Sequence, residues 1–268
     1  MPTRDDVRFL ADSPDRFRLL ARLRERPGSP RDLAEDLSVS RRTVQRNLSE
    51  LGERGWAERG DGGYSLTTTG RLVAEEHASY VEALDLLAEF DPLYRHLPDR
   101  DHAPDPQWLR DATLVVAEPD NPQAPVHHYV TALRSFETRT IRMISPVLSR
   151  LFHDAHADLA LRGVHTELVM SATTIERARS LNPAEFDAVV SAGVLDLYRY
   201  PDGVDFGLTL GDRRALVGAY DRDGQLRACL DATADEVLSW AETLFERYRS
   251  GAARVDPPIP LPFGRSRD

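Results

Sequence analysis

The chain has 268 residues, a single cysteine, and 44 acidic against 34 basic residues, which gives a net charge of −10. That length allows two domains with a core each, and one cysteine excludes an intrachain disulfide and a cysteine-based zinc site. No apolar run approaches the roughly 20 residues that span a bilayer, and residues 1–11 are too charged for a signal peptide. We therefore expect a cytoplasmic protein with no membrane partner.

The charge is unevenly distributed along the chain. Residues 1–70 contain 13 arginines and 12 acids, whereas residues 71–268 contain 21 arginines and 32 acids. The chain contains no lysine, so every basic residue is arginine. This composition resembles that of proteins from salt-loving archaea, whose acidic surface keeps them soluble. A high-GC codon bias would produce the same composition, and the two explanations stay open.

The first predicted helix covers residues 12–26 and ends at a Pro-Gly pair. A second, short helix is predicted after Ser29, because Ser29 is a favourable N-cap and is followed by Pro30 and, three positions on, by Asp32. Ser38 and Val39 are predicted to form the turn after it. The short helix, the turn and the next helix together predict a helix-turn-helix.

The third predicted helix begins after Ser40 and places Val44, Leu48 and Leu51 on its inner face, at spacings of four and three. The remaining side chains before Glu50 are of the types that contact phosphates and base edges from a recognition helix. We predict that this DNA-contacting set consists of Arg41, Arg42, Thr43, Gln45, Arg46 and Ser49.

A hairpin is predicted directly after this helix. Residues 56–59 form one strand, the glycine-rich stretch 60–63 forms the turn, and residues 64–67 return as the second strand. Arg59 would then lie beside the tip of a wing and contact phosphate. Winged helices also serve as protein-interaction modules, but an outward face with arginines and no acid before Glu50 favours double-stranded DNA as the partner.

The order of these features resembles that of the winged-helix transcription regulators common in archaea. The resemblance lies in the helix that carries Leu33 and Leu37, the Ser40 cap, the strand start at residues 55–56 and the Leu-Thr pair at residues 66–67. It implies that residues 1–70 form a DNA-binding domain.

A long helix is predicted from residue 67 or 68 to residue 90, within a linking segment at residues 71–97. The positions Val73, His77, Tyr80, Leu84 and Leu87 recur at spacings of four and three and predict a seam. The seam either joins two copies in a homodimer, the interpretation we favour, or packs within the chain.

The Pro- and Asp-rich residues 98–106 predict a domain boundary. Beyond it, strand and helix patterns alternate and favour a largely parallel, covered sheet, followed by an antiparallel meander over residues 205–230 and a last helix over residues 235–249. The predicted fold class is α+β or α/β: an N-terminal winged helix, a linking helix and a mixed α/β sheet domain at residues 107–253. Residues 254–268 are predicted to be a flexible tail.

The second domain also resembles a known family. The triplet Ile-Ser-Pro at residues 144–146, the segment at residues 206–212 and the helix from Trp240 to Tyr248 are similar to the effector domain of archaeal regulators of the methanogen filament-formation type, which have a phospholipase-D-like core. This resemblance implies a transcription regulator whose DNA affinity is set by a small molecule. The alternative is a metabolite-binding or protein-interaction module with a structural winged helix.

Catalysis is not expected. Phospholipase D chemistry needs a lysine two residues after a histidine, and the chain has no lysine; residues 165–167 follow no such pattern. His153 and His156 could approach one metal ion, with His127 and His128 as further ligands, but surface and cap roles are far commoner for such histidines. We predict no enzyme activity, no cofactor and no metal.

Two predicted strand ends carry hydroxyl groups where parallel sheets bind small molecules. Ser145 follows one strand and precedes a proline that would open a helix, and Ser171 follows another. With the next two hydroxyls, Thr173 and Thr174, these residues predict a site for a polar or anionic metabolite. The alternative is that the hydroxyls only cap helices, with Glu176 completing a capping box on Thr173.

Overall fold

The computed structural model describes residues 2–148 and 150–256 and consists of two compact units, residues 1–85 and 86–268. The division falls inside a helix, ahead of the predicted boundary at residues 98–106. The predicted flexible tail lies outside the described residues from residue 257 onward. The elements of the first unit are α1 (Pro2–Ala11), α2 (Pro14–Glu25), α3 (Pro30–Leu37), α4 (Arg41–Glu53), β1 (Ala57–Gly60), β2 (Gly63–Leu66) and α5 (Thr68–Glu89), whose last turn belongs to the second unit.

The helix-turn-helix forms for the reasons visible in the sequence. The Ser29 hydroxyl accepts from the Asp32 backbone N–H at 3.3 Å, and the Asp32 carboxylate accepts from the Ser29 backbone N–H, which completes a capping box. The turn contains Ser38 in the left-handed region, at φ 56°. The Ser40 hydroxyl then accepts from the Thr43 backbone N–H at 3.1 Å and begins α4. The predicted helices and their caps are confirmed.

The hairpin depends on close backbone approaches that only glycine permits. Gly60 pairs with Gly63 around a two-residue turn, and Gly28 adds a further antiparallel bridge to Tyr64. Gly63 has φ 109°, and a Cβ there would lie 2.4 Å from the Gly28 carbonyl oxygen. A Cβ on Gly70 would lie 1.9 Å from the Trp56 carbonyl oxygen, so α5 starts directly against the hairpin.

The first unit contains one helix that the sequence analysis missed, α1. Its Phe9 side chain is buried and lies between two guanidinium groups, with Arg16 at 4.0 Å and Arg54 at 3.7 Å from the ring centroid. Arg54 also pairs with Asp6. The helix α1 is therefore held to the first unit by cation–π contacts as well as by burial of Phe9 in the apolar core.

The second unit continues from the end of α5. Its elements are α6 (Asp91–Tyr94), β3 (Thr113–Val116), α7 (Ala124–Arg134), β4 (Thr140–Ile144), α8 (Arg150–Leu161), β5 (His165–Ser171), α9 (Ala172–Leu181), α10 (Pro183–Ser191), β6 (Leu195–Tyr200), β7 (Phe206–Leu210), β8 (Ala215–Tyr220), β9 (Leu226–Ala232), α11 (Asp235–Ser250) and β10 (Ala253–Arg254). Residues 100–102 and 106–109 form 3-10 turns. The predicted boundary segment is thus ordered within this unit, where His102 Nε2 lies 2.7 Å from the Tyr248 hydroxyl.

The strands form one mixed sheet in the order β10-β6-β5-β4-β7-β8-β9-β3. Only the β4–β5 and β5–β6 pairs are parallel, and the other neighbours are antiparallel. The prediction of a largely parallel sheet is therefore wrong, because β3 pairs with β9 at the far edge instead of lying beside β4. The antiparallel meander β7–β8–β9 and the α+β class are confirmed.

Helices cover both faces of the sheet. On one face α11 buries Val237, Leu244 and Phe245 against alternate residues of β7 and β8. On the other face α7 and α8 pack on β4 and β9, and Cys229 is buried there among apolar side chains. Burial raises the pKa of the Cys229 thiol, so it is a small core residue and not a reactive thiol.

Candidate nucleic-acid interface and effector sites

The outward face of α4 is polar and accessible, as predicted. Val44, Leu48 and Leu51 are buried in the core of the first unit. The opposite side exposes Arg41, Arg42, Gln45, Arg46 and Ser49, while Thr43 is half-buried. The buried stripe fixes the rotation of α4 about its axis, so this face cannot turn inward without loss of the core.

The ion pairs of the first unit separate its arginines into two groups. Seven arginines form salt bridges with acids of the same unit: Arg8, Arg16, Arg18, Arg22, Arg26, Arg31 and Arg54. Within the described residues, no acid pairs with the arginines of the predicted DNA contacts, which are Arg41, Arg42, Arg46 and Arg59. The same is true of three other arginines, Arg4, Arg24 and Arg71. The three arginines of the predicted DNA-contacting set, and Arg59 beside the hairpin turn, are therefore available to a partner.

The smaller polar members of the predicted set are engaged within α4. The Thr43 and Ser40 hydroxyls lie 2.8 Å apart, and the Ser49 hydroxyl donates to the Glu53 carboxylate at 3.4 Å. Gln45 makes no hydrogen bond with a described residue and is exposed. Arg59 lies on β1, opposite Tyr64 and one residue before the hairpin turn.

The predicted seam of α5 divides into two halves. Val73 packs against the core of the first unit, and the His77 ring contacts the Phe17 ring at 5.0 Å between centroids. Tyr80, Leu84 and Leu87 are exposed to 61%, 46% and 42%. The first half of the seam thus packs within the chain, and only the second half remains for a partner.

The predicted effector hydroxyls meet at the ends of β4 and β5. Ser145 and Ser171 are buried, and the Thr174 hydroxyl donates to the Pro146 carbonyl oxygen at 3.3 Å. Ser171, not Thr173, is the N-cap of α9: its hydroxyl accepts from the Thr174 backbone N–H at 3.1 Å. The predicted capping box on Thr173 is wrong, because β5 runs directly into α9 without the two extra residues.

Ser145 has no capping role. Its hydroxyl donates to the Val147 carbonyl oxygen at 2.9 Å, and residues 145–148 are not helical, so the prediction that residues 145–146 open a helix is wrong. The Ser171 hydroxyl lies 3.0 Å from the Thr173 hydroxyl and 2.8 Å from that of Thr174. The hydroxyls of this cluster are therefore all hydrogen-bonded within the protein.

A buried charge network that the sequence analysis missed lies on β9. Asp231 is buried and accepts from Arg214 Nε at 2.6 Å and from Arg214 Nη2, while His128 Nε2 lies 2.8 Å from its Oδ2 atom. Arg214 Nη1 donates to the Ser135 hydroxyl at 2.9 Å. The hydrogen bonds to Asp231 raise the pKa of Arg214. These residues come from α7, β9 and the turn after β7, so no local pattern predicted them.

Among the described side chains, no three His, Cys, Asp or Glu residues lie close enough together to hold a metal ion; the side chain of His153, one of the histidines weighed above, lies outside them. Across the described residues, no helix has both the length and the apolar character needed to cross a membrane.

Two protein-family models match the chain. Residues 4–88 match the model described as the HVO_A0261 N-terminal domain, and residues 122–251 match the middle domain of the methanogenesis regulatory protein FilR1. The second match covers the elements from α7 to α11, which include every strand of the sheet except β3 and β10, and it agrees with the family resemblance drawn from the sequence. No curated protein matches the chain.

Solved structures match the chain only at low sequence identity and low TM-score. TrmBL2, an archaeal chromatin protein, is 16% identical over 85% of this chain and 88% of its own, with a TM-score of 0.42. Nuc from Salmonella typhimurium, a phospholipase D family member, is 13% identical over 55% of this chain and 99% of its own, with a TM-score of 0.43. At these scores neither similarity identifies a shared function. The chain is thus similar, over residues 4–88 and 122–251, to two described domains, of which the second comes from a regulatory protein.

Proposed function

We propose that this protein is a transcription regulator that binds double-stranded DNA through α4 and the hairpin β1–β2. The observation that carries the proposal is the set of unpaired arginines Arg41, Arg42, Arg46 and Arg59, in a unit whose other arginines mostly form salt bridges. The match to a domain of a regulatory protein supports the same conclusion. The proposed division is a winged helix at residues 1–70, a linking helix at 71–97, an effector domain at 107–253 and a tail at 254–268, in an archaeal protein of salt-adapted composition.

The residue types suggest separate roles within the interface. Arg42, Gln45 and Arg46 have the side chains that make bidentate contacts with guanine and adenine edges in the major groove. We assign phosphate contacts to two other arginines. Arg41 lies in the first turn of α4, and Arg59 lies beside the hairpin turn. Thr43 and Ser49 complete the surface with short hydroxyls that share their hydrogen bonds with Ser40 and Glu53.

The test is a comparison of two triple variants with the same change in charge. The first replaces Arg41, Arg42 and Arg46 by alanine, and the second replaces Arg18, Arg26 and Arg31, which are exposed but paired. Gel mobility shift with a binding site selected from random DNA should show loss of binding by the first and near wild-type binding by the second. Equal binding by both would favour the alternative, a metabolite-binding or protein-interaction module.

We also infer that the DNA-binding form is a homodimer joined through the exposed half of the α5 seam. Tyr80, Leu84 and Leu87 recur at spacings of four and three, and such large exposed apolar side chains in one row favour a protein contact. Replacing Leu84 by glutamate should give a monomer by light scattering, whereas Leu161→Glu, at a more exposed site on α8, should leave the dimer intact. A monomeric wild-type protein would refute the inference.

The effector is proposed to be a small polar or anionic metabolite bound at the ends of β4 and β5. The support is that Ser145, Ser171, Thr173 and Thr174 gather there and that two of them are buried. Ser145→Ala and Ser171→Ala should abolish the effect of the metabolite on DNA affinity and leave ligand-free affinity unchanged. An unaltered response in both variants would place the effector elsewhere.

A further inference from the structure

A cleft of about 690 Å³ opens at the end of the sheet opposite to Ser145 and Ser171. It is lined by the turn between β7 and β8, residues 211–214, together with the end of α7 and the starts of β3 and α11. A smaller cleft of about 420 Å³ adjoins it along Gly211, Asp212 and Leu238. The volume of the larger cleft lies within the range of small-molecule sites.

The rim of the cleft carries unpaired charges of both signs. Asp111, Glu137, Asp212 and Asp235 line it and form no ion pair or hydrogen bond through their side chains with a described residue, and neither does the Arg213 guanidinium group. The hydroxyl cluster at the other end of the sheet differs, because its members are hydrogen-bonded to one another or to backbone carbonyl groups. A charged ligand in the cleft would therefore gain contacts without first breaking existing ones.

One wall of the cleft is formed by a rigid guanidinium group. Arg214 donates two hydrogen bonds to the buried Asp231 carboxylate, one from Nε to Oδ1 at 2.6 Å and one from Nη2. It donates a third to the Ser135 hydroxyl. These contacts use three of the five N–H groups of the guanidinium, and the side chain keeps 32% exposure. Arg214 is thus fixed in place with two donors remaining for a ligand, and Arg213 adds a second cation at the rim.

We propose that this cleft binds a small zwitterion of the amino-acid class, with its carboxylate at Arg213 and Arg214 and its ammonium group among Asp111, Asp212 and Asp235. A simple cation would leave Arg213 unpaired, and a simple anion would meet four carboxylates. A ligand that carries both charges satisfies both sets of groups. This site goes beyond the proposed function, which assigned the effector to the other end of the sheet and to a different chemistry.

The test uses the full chain and the standard amino acids, offered one at a time in a thermal-shift assay, with acetate and methylammonium at the same concentration. At least one amino acid should raise the melting temperature. Acetate and methylammonium, which each carry only one of the two charges, should not raise it. Isothermal titration with that amino acid should then show binding weakened at least about tenfold by Asp212→Asn and by Arg213→Gln, since each removes a charge-assisted contact.

Matched controls come from the turn between β8 and β9 at the other end of the sheet. Arg222 and Asp223 there are exposed, as Asp212 and Arg213 are, so Arg222→Gln and Asp223→Asn make the same changes away from the cleft. Both controls should bind like the wild type. The proposal is overturned if no amino acid binds, if methylammonium binds as tightly as the amino acid, or if the cleft variants bind normally. Ligand-free DNA binding, measured in parallel, reports on the proposed function independently.

Discussion

The two units of this protein use charged side chains in different ways. In the first unit, ion pairs lie around a small apolar core, and the unpaired charge on α4 is exclusively positive before Glu50. In the second unit, a buried network centred on Asp231 supports a cleft whose unpaired charges have both signs. In a protein with many ion pairs, the charged side chains that remain unpaired therefore indicate the contact surfaces. The sign of those unpaired charges predicts the charge of the partner.

A large effect is expected from loss of the buried network of the second unit. Asp231→Ala leaves the Arg214 guanidinium without its carboxylate in a half-buried position and should lower the free energy of unfolding of this unit by about 3 kcal/mol. Urea denaturation followed by tryptophan fluorescence measures the change. A loss below about 0.5 kcal/mol, which is typical of an exposed ion pair, would mean that the Asp231 network stabilises its unit no more than the exposed ion pairs of the first unit do.

The first unit should respond most to loss of apolar core. Leu48 is fully buried on the inner face of α4, so Leu48→Ala should cost about 2–5 kcal/mol of unfolding free energy. Because the two units have separate cores, thermal denaturation should show an earlier transition for the first unit and an unchanged one for the second. A single shifted transition would mean that the units unfold together.

A smaller effect is expected from the capping box of α3. Hydrogen bonds from the Ser29 hydroxyl and backbone lower the pKa of Asp32 below its ordinary value of 3.8. A carboxyl with a lowered folded pKa stabilises the fold above its unfolded pKa, and this contribution is lost as the pH falls through the folded value. The difference in melting temperature between the wild type and Asp32→Asn should therefore shrink as the pH drops below 3.8. A constant difference would contradict the assigned hydrogen bonds.

Local signals explain how much of the fold was predictable. The caps at Ser29 and Ser40, the apolar spacing of α4 and the glycines of the hairpin act between residues close in sequence, and each element they predicted is present. The apolar runs predict β3 to β9 of the second unit for the same reason, whereas the two-residue β10 is too short to leave such a signal. The missed helix α1 is another exception, because its buried Phe9 makes its contacts with Arg16, Arg54 and Trp56 from other parts of the chain.

Long-range pairing explains what could not be predicted. The position of β3 beside β9 depends on residues more than 100 positions apart, and it adds an antiparallel pair at the edge of the sheet. The contacts of Asp231 with His128 and Arg214 and of His102 with Tyr248 likewise join distant segments. Of the candidate surfaces, the α4 face followed from one helix alone, whereas the cleft required the sheet order.

The most direct test of the central claim compares Arg46→Ala and Arg59→Ala on the selected DNA site and on random DNA at one fixed salt concentration. If Arg46 contacts a base, its loss should cost about 1–3 kcal/mol on the selected site and relax the preference at one base pair. If Arg59 contacts phosphate, its loss should weaken binding to both DNAs by the same factor. It should also reduce the slope of the logarithm of the binding constant against the logarithm of the salt concentration by about one. Equal losses on selected and random DNA for Arg46→Ala, or unchanged binding for both variants, would contradict the assignment of the α4 face as the DNA-reading surface.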